Sequence, residues 1–486
     1  MDPRPVATTK RLLRWRDLYR EAELYRAALR VYTKPLFHWR KALCTSTDGR
    51  TLYDFAARGL RGLDALHRSL RDGSFAFRPA VALHYNFNGK HRTLYIPPWE
   101  ERIVDFLLYR LLNQKLHRWF SPNSFAYRNH SYGLDNCQAQ VACLLSQMQK
   151  PVYVIKRDVR DYFASIKHEI LLNQLRLLVD DSDYLFHLLQ QRIVFSYEEE
   201  AETKTASVGV PFGTAVACLF ANVYLTNLDR QLEAVPEIHY FRYADDILLI
   251  SSSRRAAELA RDRMNAELDQ LQLEVKESHR ADLAISETPS GDATFAAAGQ
   301  FRHLGLMFRA NGGVALSRDK LRKIENLFRF AFRRGRRRWK KQADPHARAQ
   351  ALIAMAIETI EKGMRNVAVL DYYLKHVDDE HQLRLLDRWL AEEILSAVFG
   401  GHNKSHFRRI SFNELRRMGL PSLLHRRRLI CRGVIESSFF IWQREKASRA
   451  FRGTVARLHR PQGEAAFSSI PEAAVQNTPV REGGRL

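Results

Sequence analysis

The spacing of apolar residues along the chain predicts a series of helices separated by short strands. From residue 10 to residue 72, apolar side chains recur every three or four positions, as at Leu12, Trp15 and Leu18, which is the period of an amphipathic helix. A longer segment, 99–120, has the same period. Further helices are expected at 166–180, 213–232 and 254–272.

Short apolar runs bounded by turn residues predict the strands. Val81–Phe87 and Thr93–Ile96 flank Asn88-Gly89, a pair typical of tight hairpin turns. Val152–Lys156 has the length and composition of a buried strand. Other strands are expected at 75–79 and near residue 274, with two more hairpins at 238–252 and 301–316.

The composition changes after residue 317. Up to about residue 460 nearly every segment is helical in pattern and basic, and the run 333–341 holds seven Lys and Arg residues. Residues 461–486 are rich in Pro, Gly, Glu and Ala, and we expect them to be disordered because such a segment cannot build a core.

The charge of the chain indicates a polyanionic partner. Lys and Arg number 77 against 54 Asp and Glu, which leaves a formal net charge of +23. Each cation placed on a phosphate releases condensed counterions, and aromatic residues, 11% of this chain, can stack on bases. A protein that is merely basic and soluble is the alternative, but this combination favours nucleic-acid binding.

The cysteine pattern argues against two common ways of stabilising a fold. The five cysteines contain no CxxC pair and their number is odd, which disfavours both a zinc ribbon and a set of disulfides. They are Cys44, Cys137, Cys143, Cys218 and Cys431. The first twenty residues lack the apolar core of a signal peptide, and no stretch has the length of a transmembrane helix. We therefore expect a cytoplasmic protein with no membrane partner.

Three aspartates form the candidate chemical centre. Asp158 ends the predicted strand that begins at Val152, and Asp245 and Asp246 occupy the turn of the hairpin Tyr240–Ile250. Phosphoryl transfer onto a growing strand uses two divalent cations held by a few rigid carboxylates. A surface turn with two solvated aspartates is the alternative, and the Tyr-x-Asp-Asp string alone does not decide between them.

The surrounding segments resemble the motifs of reverse transcriptases, in the family's order. Asp158–Phe163 resembles motif A and Tyr243–Asp246 resembles motif C. The other matching segments are Gly209–Gly213 with Leu219–Leu225 (motif B), Leu273–His279 (motif D) and His303–Phe308 (motif E). Upstream, Leu70–Phe75, Arg92–Pro97, Glu101–Val104 and Ser124–Arg128 resemble the fingers of bacterial reverse transcriptases related to group II intron proteins. The resemblance runs over residues 65–310.

The resemblance implies an α+β fold of the right-hand polymerase type. Fingers and a palm with an antiparallel sheet would be followed by an all-helical thumb and C-terminal extension. The regions are 1–65 (N-terminal helical extension), 66–310 (fingers and palm), 311–400 (thumb), 401–460 (helical extension) and 461–486 (disordered tail). It also implies an RNA template, dNTP substrates and a DNA product.

Roles for individual residues follow from the same resemblance. Two Mg²⁺ ions, with Mn²⁺ as an alternative, would be held by Asp158, Asp245, Asp246 and the backbone carbonyl of Val159. The nucleotide would contact Lys90, Arg92, Asp161, Phe163, Gly213 and His279. Phe163 lies where family members place an aromatic gate that excludes the ribose 2′-hydroxyl; the alternative is a core phenylalanine. Phe212 departs from the commonest bacterial pattern, which has Gln at that position.

The basic run lies where the family places its thumb. Its candidate nucleic-acid contacts are Arg333, Arg336, Arg337, Arg338 and Lys340. We expect the run to lie on one helix with charges on all sides, which suits a track along phosphates. The alternative is a solvated helix face, and Trp339 either stacks on the nucleic acid or anchors the helix.

Three functions remain open at this point. The first is a reverse transcriptase of phage defence, because the helical part after residue 318 exceeds a minimal thumb and resembles the helical extensions of such enzymes. The second is a group II intron maturase-like or diversity-generating enzyme. The third is a non-catalytic RNA-binding scaffold, which the three intact aspartates disfavour. The template, which could be a dedicated non-coding RNA, and the oligomeric state are left open.

Overall fold

A computed structural model describes residues 12–33, 46–57, 59–87, 90–288, 290–361 and 368–435. It confirms the mixed helix and strand character of the chain. The expected turn at Asn88-Gly89 and the expected tail at 461–486 lie outside the described residues. None of the helices in these ranges has both the length and the apolar composition of a membrane-spanning segment.

Thirteen strands lie within the described ranges. They are β1 (Ala80–Phe87), β2 (Lys90–Ile96), β3 (Ser124–Phe125), β4 (Val152–Asp158), β5 (Ser196–Glu199), β6 (Glu202–Thr205), β7 (His239–Tyr243), β8 (Asp246–Ser251), β9 (Ala281–Ile285), β10 (Ala296–Ala298), β11 (Gln300–His303), β12 (Leu306–Arg309) and β13 (Val314–Leu316). They form three sheets, of order β2-β1-β5-β6, β10-β9-β4-β8-β7-β3 and β11-β12-β13.

The α-helices of the described residues surround these sheets. Those before residue 280 are α1 (Trp15–Leu18), α2 (Glu21–Thr33), α3 (Leu52–Ala57), α4 (Gly59–Asp72), α5 (Trp99–Leu116), α6 (Leu134–Gln147), α7 (Tyr162–Ser165), α8 (His168–Arg176), α9 (Tyr184–Ile193), α10 (Ala215–Tyr224), α11 (Thr226–Glu233) and α12 (Arg254–Gln270). Those after it are α13 (Arg318–Arg334), α14 (Arg336–Lys340), α15 (Pro345–Glu361), α16 (Ala368–His376), α17 (Glu380–Phe399), α18 (Phe412–Arg417) and α19 (Leu423–Cys431).

The six-stranded sheet is buried on both faces. On β8, Ile247 and Leu249 join the apolar core built with the N-terminal helices and with α8 to α12. Leu248 and Ile250 point the other way, into a core shared with the three-stranded sheet and the C-terminal helices. Each fully buried side chain of this kind contributes about 1.5–3 kcal/mol. Because a slip of one residue would exchange the two faces, the register of β8 is strongly specified.

Two predicted strands are absent from the described structure. At 75–79 the backbone N–H of Phe77 donates to Gln191 Oε1 and that of Arg78 to Glu101 Oε1. Side chains therefore take the donors that a neighbouring strand would have used. Near residue 274 only one isolated bridge forms, between Val159 and Val275.

The expectation of a single helix through the basic run is also wrong. Helix α13 ends at Arg334, Gly335 interrupts it, and α14 begins at Arg336. A Cβ atom on Gly335 would lie 2.0 Å from Met355 Cε of α15. Met355 of α15 therefore packs directly against Gly335, and a larger residue there would require the flexible end of the Met355 side chain to move.

The turn between β12 and β13 packs closely against α6. Gly312 has φ +83°, and a Cβ atom there would lie 2.6 Å from the Ala142 carbonyl oxygen and 2.8 Å from the Ser146 nitrogen. Both are backbone atoms, which cannot move as a flexible side-chain end can. This turn thus joins the three-stranded sheet to the helix beside it only if residue 312 lacks a side chain.

We expect Gly312→Ala to destabilise the fold more than Gly400→Ala. Gly400 has nearly the same φ, +82°, but nothing lies within 4 Å of its Cβ position. Both alanine variants therefore carry the same backbone strain of a side chain at positive φ. The extra clash at residue 312 should cost about 1–3 kcal/mol. Denaturant unfolding of the two variants measures this difference, and equal unfolding free energies would contradict the packing at this turn.

Candidate active site

The sheet register brings the aspartates to one end of the six-stranded sheet. Asp158 ends β4 and is the direct partner of Asp246, the first residue of β8. Asp245 precedes it in the turn from β7, next to Ala244, whose φ is +58°. Residues paired directly across an antiparallel ladder lie on the same face, so strand pairing alone places the carboxylates of Asp158 and Asp246 side by side.

Asp158 and Asp245 form a close acidic pair. Burial, and then the negative charge of Asp158, raise the pKa of Asp245 from 3.8 to about 6. A carboxyl group beside another carboxylate in a partly dry site holds its proton more tightly than one in water. Cations bound beside this pair would therefore lower its electrostatic free energy.

Two lysines supply positive charge to the same end of the sheet. Lys276 Nζ lies 3.0 Å from Asp158 Oδ1. Lys156 Nζ lies 3.3 Å from Asp246 Oδ2. These ammonium groups stand where a cation would be bound by the carboxylates.

Asp246 is oriented by the three-stranded sheet. Its Oδ1 lies 3.5 Å from Nδ1 of His303, a fully buried residue of β11. Burial acts to raise the pKa of Asp246, but His303 and Lys156 outweigh it, and the pKa is lowered. Asp246 therefore faces His303 and Lys156, whereas Asp245 faces Asp158.

The acidic pair fits a magnesium ion. Within the described ranges, no group of three or more His, Cys, Asp and Glu side chains has the spacing of a metal site. Mg²⁺ does not need such a group, since it takes one or two protein carboxylates and completes its shell with water and substrate phosphates. Asp158 and Asp245 meet that requirement, while Asp246 and the Val159 carbonyl as ligands stay predictions.

A buried ion pair holds the turn that carries Asp245. Arg242 and Asp229 are both fully buried and lie 2.6 Å apart. Arg242 also donates to the Ala244 carbonyl at 3.0 Å and to Ser124 Oγ at 2.7 Å. Tyr240 donates its hydroxyl proton to Asp229 at 2.5 Å. Burial acts to lower the pKa of Arg242, but Asp229 outweighs it and the pKa is raised, so the guanidinium stays charged.

Sequence reasoning did not identify this support. Asp229 lies on α11 between Leu228 and Arg230, and a single acid in a helix carries no mark of burial. His303 and Lys156 were missed as partners of Asp246 for a similar reason. The available signal was Arg242, a charged residue within a predicted apolar strand, two residues before the turn that carries the aspartates.

Phe163 lies among other aromatic rings. Phe163 on α7 is half-buried, with its ring centroid 5.1 Å from that of Phe212 and 6.1 Å from that of Tyr127. The guanidinium carbon of Arg92 lies 5.7 Å from the Phe212 ring centroid. The structure thus brings together Arg92 and Phe163, two of the predicted nucleotide contacts, through Phe212.

The other predicted nucleotide contacts have different surroundings. Gly213 is exposed with φ +105°, and a Cβ atom there would lie 3.0 Å from Leu94 Cδ2 of β2. Asp161 is exposed, in the left-handed conformation just before α7. Lys90 begins β2 and His279 ends a short 3₁₀ helix, but the side chains of both lie outside the described part of the chain.

The cations of the basic run are exposed on α13 and α14. Arg333, Arg336, Arg337, Arg338 and Lys340 all face solvent. Arg338 lies 3.3 Å from Glu358, with two thirds of its side chain (66%) exposed. Trp339 is buried and donates to the Phe332 carbonyl at 3.0 Å. It therefore anchors α14 to α13.

The chain is similar in sequence to a known protein family and to individual proteins. The sequence profile of the family described as "Reverse transcriptase (RNA-dependent DNA polymerase)" matches residues 39–304. The retron Ec73 reverse transcriptase of Escherichia coli is 25% identical over 188 residues, which cover 36% of this chain and 54% of that protein. The putative COX1/OXI3 intron 2 protein of Saccharomyces cerevisiae is 26% identical over 176 residues, which cover 35% of this chain and 20% of that protein.

Among solved structures, apo telomerase from Candida tropicalis aligns with 79% of this chain and 67% of its own length. The sequence identity is 12% and the TM-score is 0.41. In the sequence comparisons, the chain spans about half of the retron protein and a fifth of the yeast protein.

We expect Asp245→Asn to stabilise the metal-free protein at neutral and alkaline pH. A carboxyl group whose pKa rises on folding, here from 3.8 to about 6, favours the folded state below pH 4 and loses that contribution as pH rises through 6. Removing its charge should add about 1–3 kcal/mol at pH 8 and nothing near pH 4. Melting temperatures in EDTA across this range measure the effect.

Asp269→Asn is the matched control, because Asp269 is exposed on α12, outside the acidic pair. It should leave the melting temperature unchanged at every pH. Parallel pH curves for wild type and Asp245→Asn would show that the pKa of Asp245 is not raised in the folded protein.

Proposed function

Because the chain belongs to the reverse transcriptase (RNA-dependent DNA polymerase) family, we propose that it is an RNA-directed DNA polymerase that adds dNTPs to a primer on an RNA template. The observation that carries this proposal is the acidic pair Asp158 and Asp245 at one end of the six-stranded sheet. Two carboxylates, one at the end of β4 and one in the turn before β8, are the minimum that two-metal phosphoryl transfer asks of a protein.

In this proposal Asp158, Asp245 and Asp246, together with the backbone carbonyl of Val159, hold two divalent cations, with Mg²⁺ as the first choice and Mn²⁺ as an alternative. When bound, such ions activate the primer 3′-hydroxyl and neutralise the triphosphate and the leaving pyrophosphate. Arg242 keeps the turn of Asp245 in place through its bond to the Ala244 carbonyl. Lys276, 3.0 Å from Asp158, would leave the carboxylate when the ions bind and become available to protonate the pyrophosphate.

The nucleotide would lie between β2 and α7. Arg92 is exposed on β2 and can grip the triphosphate with its paired N–H groups. Phe163 would press against the sugar, leaving no room for a 2′-hydroxyl, so that dNTPs are used in preference to rNTPs. The exposed backbone at Gly213 allows base and sugar to come close.

The template and primer would pass along the basic run. Phosphates need only exposed cations, and the run presents Arg333, Arg336, Arg337, Arg338 and Lys340 on two successive helices. In the division by region, the run belongs to the thumb (311–400), followed by the helical extension (401–460).

For the cellular role we propose phage defence, with a dedicated non-coding RNA as template. The support is the helical part after residue 318, which continues through α19 beyond the first thumb helices. The free cysteines among the described residues suit the reducing cytoplasm, where we place the enzyme.

We expect Asp245→Asn and Asp246→Asn each to reduce dNTP incorporation at least about a hundredfold. An amide is a poor magnesium ligand and lacks the charge that the cations require. Primer extension on an RNA template in Mg²⁺ measures this, with Asp269→Asn as the control that should keep full activity. Full incorporation by both variants would remove these residues from the active site.

The same variants test the cellular role. In cells that express the chain, phage plating should fall with wild type and with Asp269→Asn, and return to the level of empty cells with Asp245→Asn. Equal protection by Asp245→Asn would instead favour a scaffold that acts without polymerisation.

We expect the triple change of Arg336, Arg337 and Arg338 to Gln to weaken RNA binding for every sequence tested. Each lost phosphate contact should lower the slope of log K against log salt by about 0.7 to 0.9. Binding isotherms at several salt concentrations measure both effects. Activity should recover in part at high template concentration, because the acidic pair is unchanged.

A second triple variant controls for net charge. Arg384, Arg388 and Arg428 already face carboxylates of Glu380 and Glu392 at 2.9 to 3.2 Å. Changing these three to Gln removes the same charge and should alter RNA binding far less. Equal effects of the two triple variants would show that the basic run is not a nucleic-acid track.

A further inference from the structure

The ring of Phe212 connects the strand that carries Arg92 to the helix that carries Phe163. Its backbone carbonyl accepts a hydrogen bond from the N–H of Tyr95 on β2 at 3.0 Å. Its ring meets the ring of Phe163 edge to face, with centroids 5.1 Å apart and planes at 61°. The position of Phe212 is therefore fixed from the β2 side, and its ring bears on Phe163.

Phe163 is a partly buried residue that packs against the core built with the N-terminal helices. It lies on α7, a helix of four residues (Tyr162–Ser165) preceded by Asp161 in the left-handed conformation. It is half-buried, and its other ring neighbours are Tyr162 at 5.8 Å and Tyr127 at 6.1 Å. A half-buried ring on so short a helix can change rotamer unless a neighbour blocks the alternative positions.

We propose that Phe212 is a specificity-determining residue that holds Phe163 in the position where it excludes the ribose 2′-hydroxyl. Phe212 acts through Phe163 and is a positioning residue, not a catalytic one. This inference rests on the proposed function, since it concerns the sugar of the incoming nucleotide.

Arg92 gives the pocket a second link to the same ring. Its guanidinium carbon lies 5.7 Å from the Phe212 centroid, within the range of a cation–π contact. An Arg held there is close to the substrate yet free to move onto a triphosphate, because no carboxylate faces it in the contacts described for this side chain. The ring of Phe212 would thus position both the Phe163 ring and the Arg92 guanidinium.

The experiment compares dNTP and rNTP use in single and double variants. Aromatic edge-to-face pairs correspond to about a two- to tenfold effect when lost. Phe212→Gln should therefore reduce the ratio of kcat/KM for dNTPs over rNTPs by about two- to tenfold, and Phe212→Leu by less. Phe163→Ala should reduce the ratio at least as much.

The double variant identifies the route of the effect. If Phe212 acts through Phe163, Phe163→Ala combined with Phe212→Gln should show the ratio of Phe163→Ala alone. Effects that multiply would mean that Phe212 contacts the sugar independently, which overturns the positioning role.

Phe77→Gln is the matched control. Phe77 is also half-buried, meets Phe75 edge to face at 5.0 Å and has Arg192 over its ring at 4.7 Å. The same chemical change there should lower stability without altering the nucleotide ratio. A ratio that falls equally in Phe77→Gln and Phe212→Gln would show a general loosening of the fold and overturn the proposal.

Failure of this inference can be told apart from failure of the proposed function. Wild type that extends a primer with dNTPs, together with an unchanged ratio in Phe212→Gln, overturns only the role of Phe212. Wild type that incorporates no nucleotide on any template overturns the polymerase proposal and this inference with it.

Discussion

A guanidinium group without access to water holds the centre of this protein together. Arg242 and Asp229 are fully buried, and between them they engage Ser124, Tyr240 and the carbonyl of Ala244. Removing one partner from such a pair leaves an uncompensated charge and typically costs about 3–5 kcal/mol. Since Ala244 precedes Asp245, the same interaction that stabilises the sheet also fixes the direction of the turn that carries Asp245.

The acidic pair, in contrast, lowers the stability of the fold at the place where the proposed function needs it. Asp245 lies beside Asp158 in a partly dry site, and burial together with the charge of Asp158 raises its pKa to about 6. Lys276, 3.0 Å from Asp158, relieves part of the repulsion between the two carboxylates. The surrounding core and the Arg242–Asp229 pair keep the turn in a geometry that the carboxylates alone would oppose.

The sequence alone was sufficient for the features that depend on local pattern. The strand ending at Asp158 and the hairpin around Asp245 follow from apolar runs that stop at acids, and the structure has both elements. The partners of those acids could not be predicted in this way. Asp229 and His303 acquire their roles through packing between distant segments, and a lone polar residue in a helix or hairpin does not reveal its burial.

The errors have the same physical origin. A strand at 75–79 fits the local propensity, yet the side chains of Gln191 and Glu101 take its backbone donors. A continuous helix through Gly335 fits too, because one glycine costs a helix only about 1 kcal/mol. The helix nevertheless ends before Gly335, and Met355 of α15 packs close to that residue.

One core crosses from the six-stranded sheet to the C-terminal helices, and this limits how the molecule can move. Leu248 and Ile250 of β8 share it with Phe328 of α13, Leu352 of α15 and Leu390 of α17. A wide swing of those helices would expose this apolar surface to water at a cost of about 25 cal/mol per Å². In the proposed polymerase, this cost would oppose a hinge motion of the C-terminal helices each time a nucleotide is added.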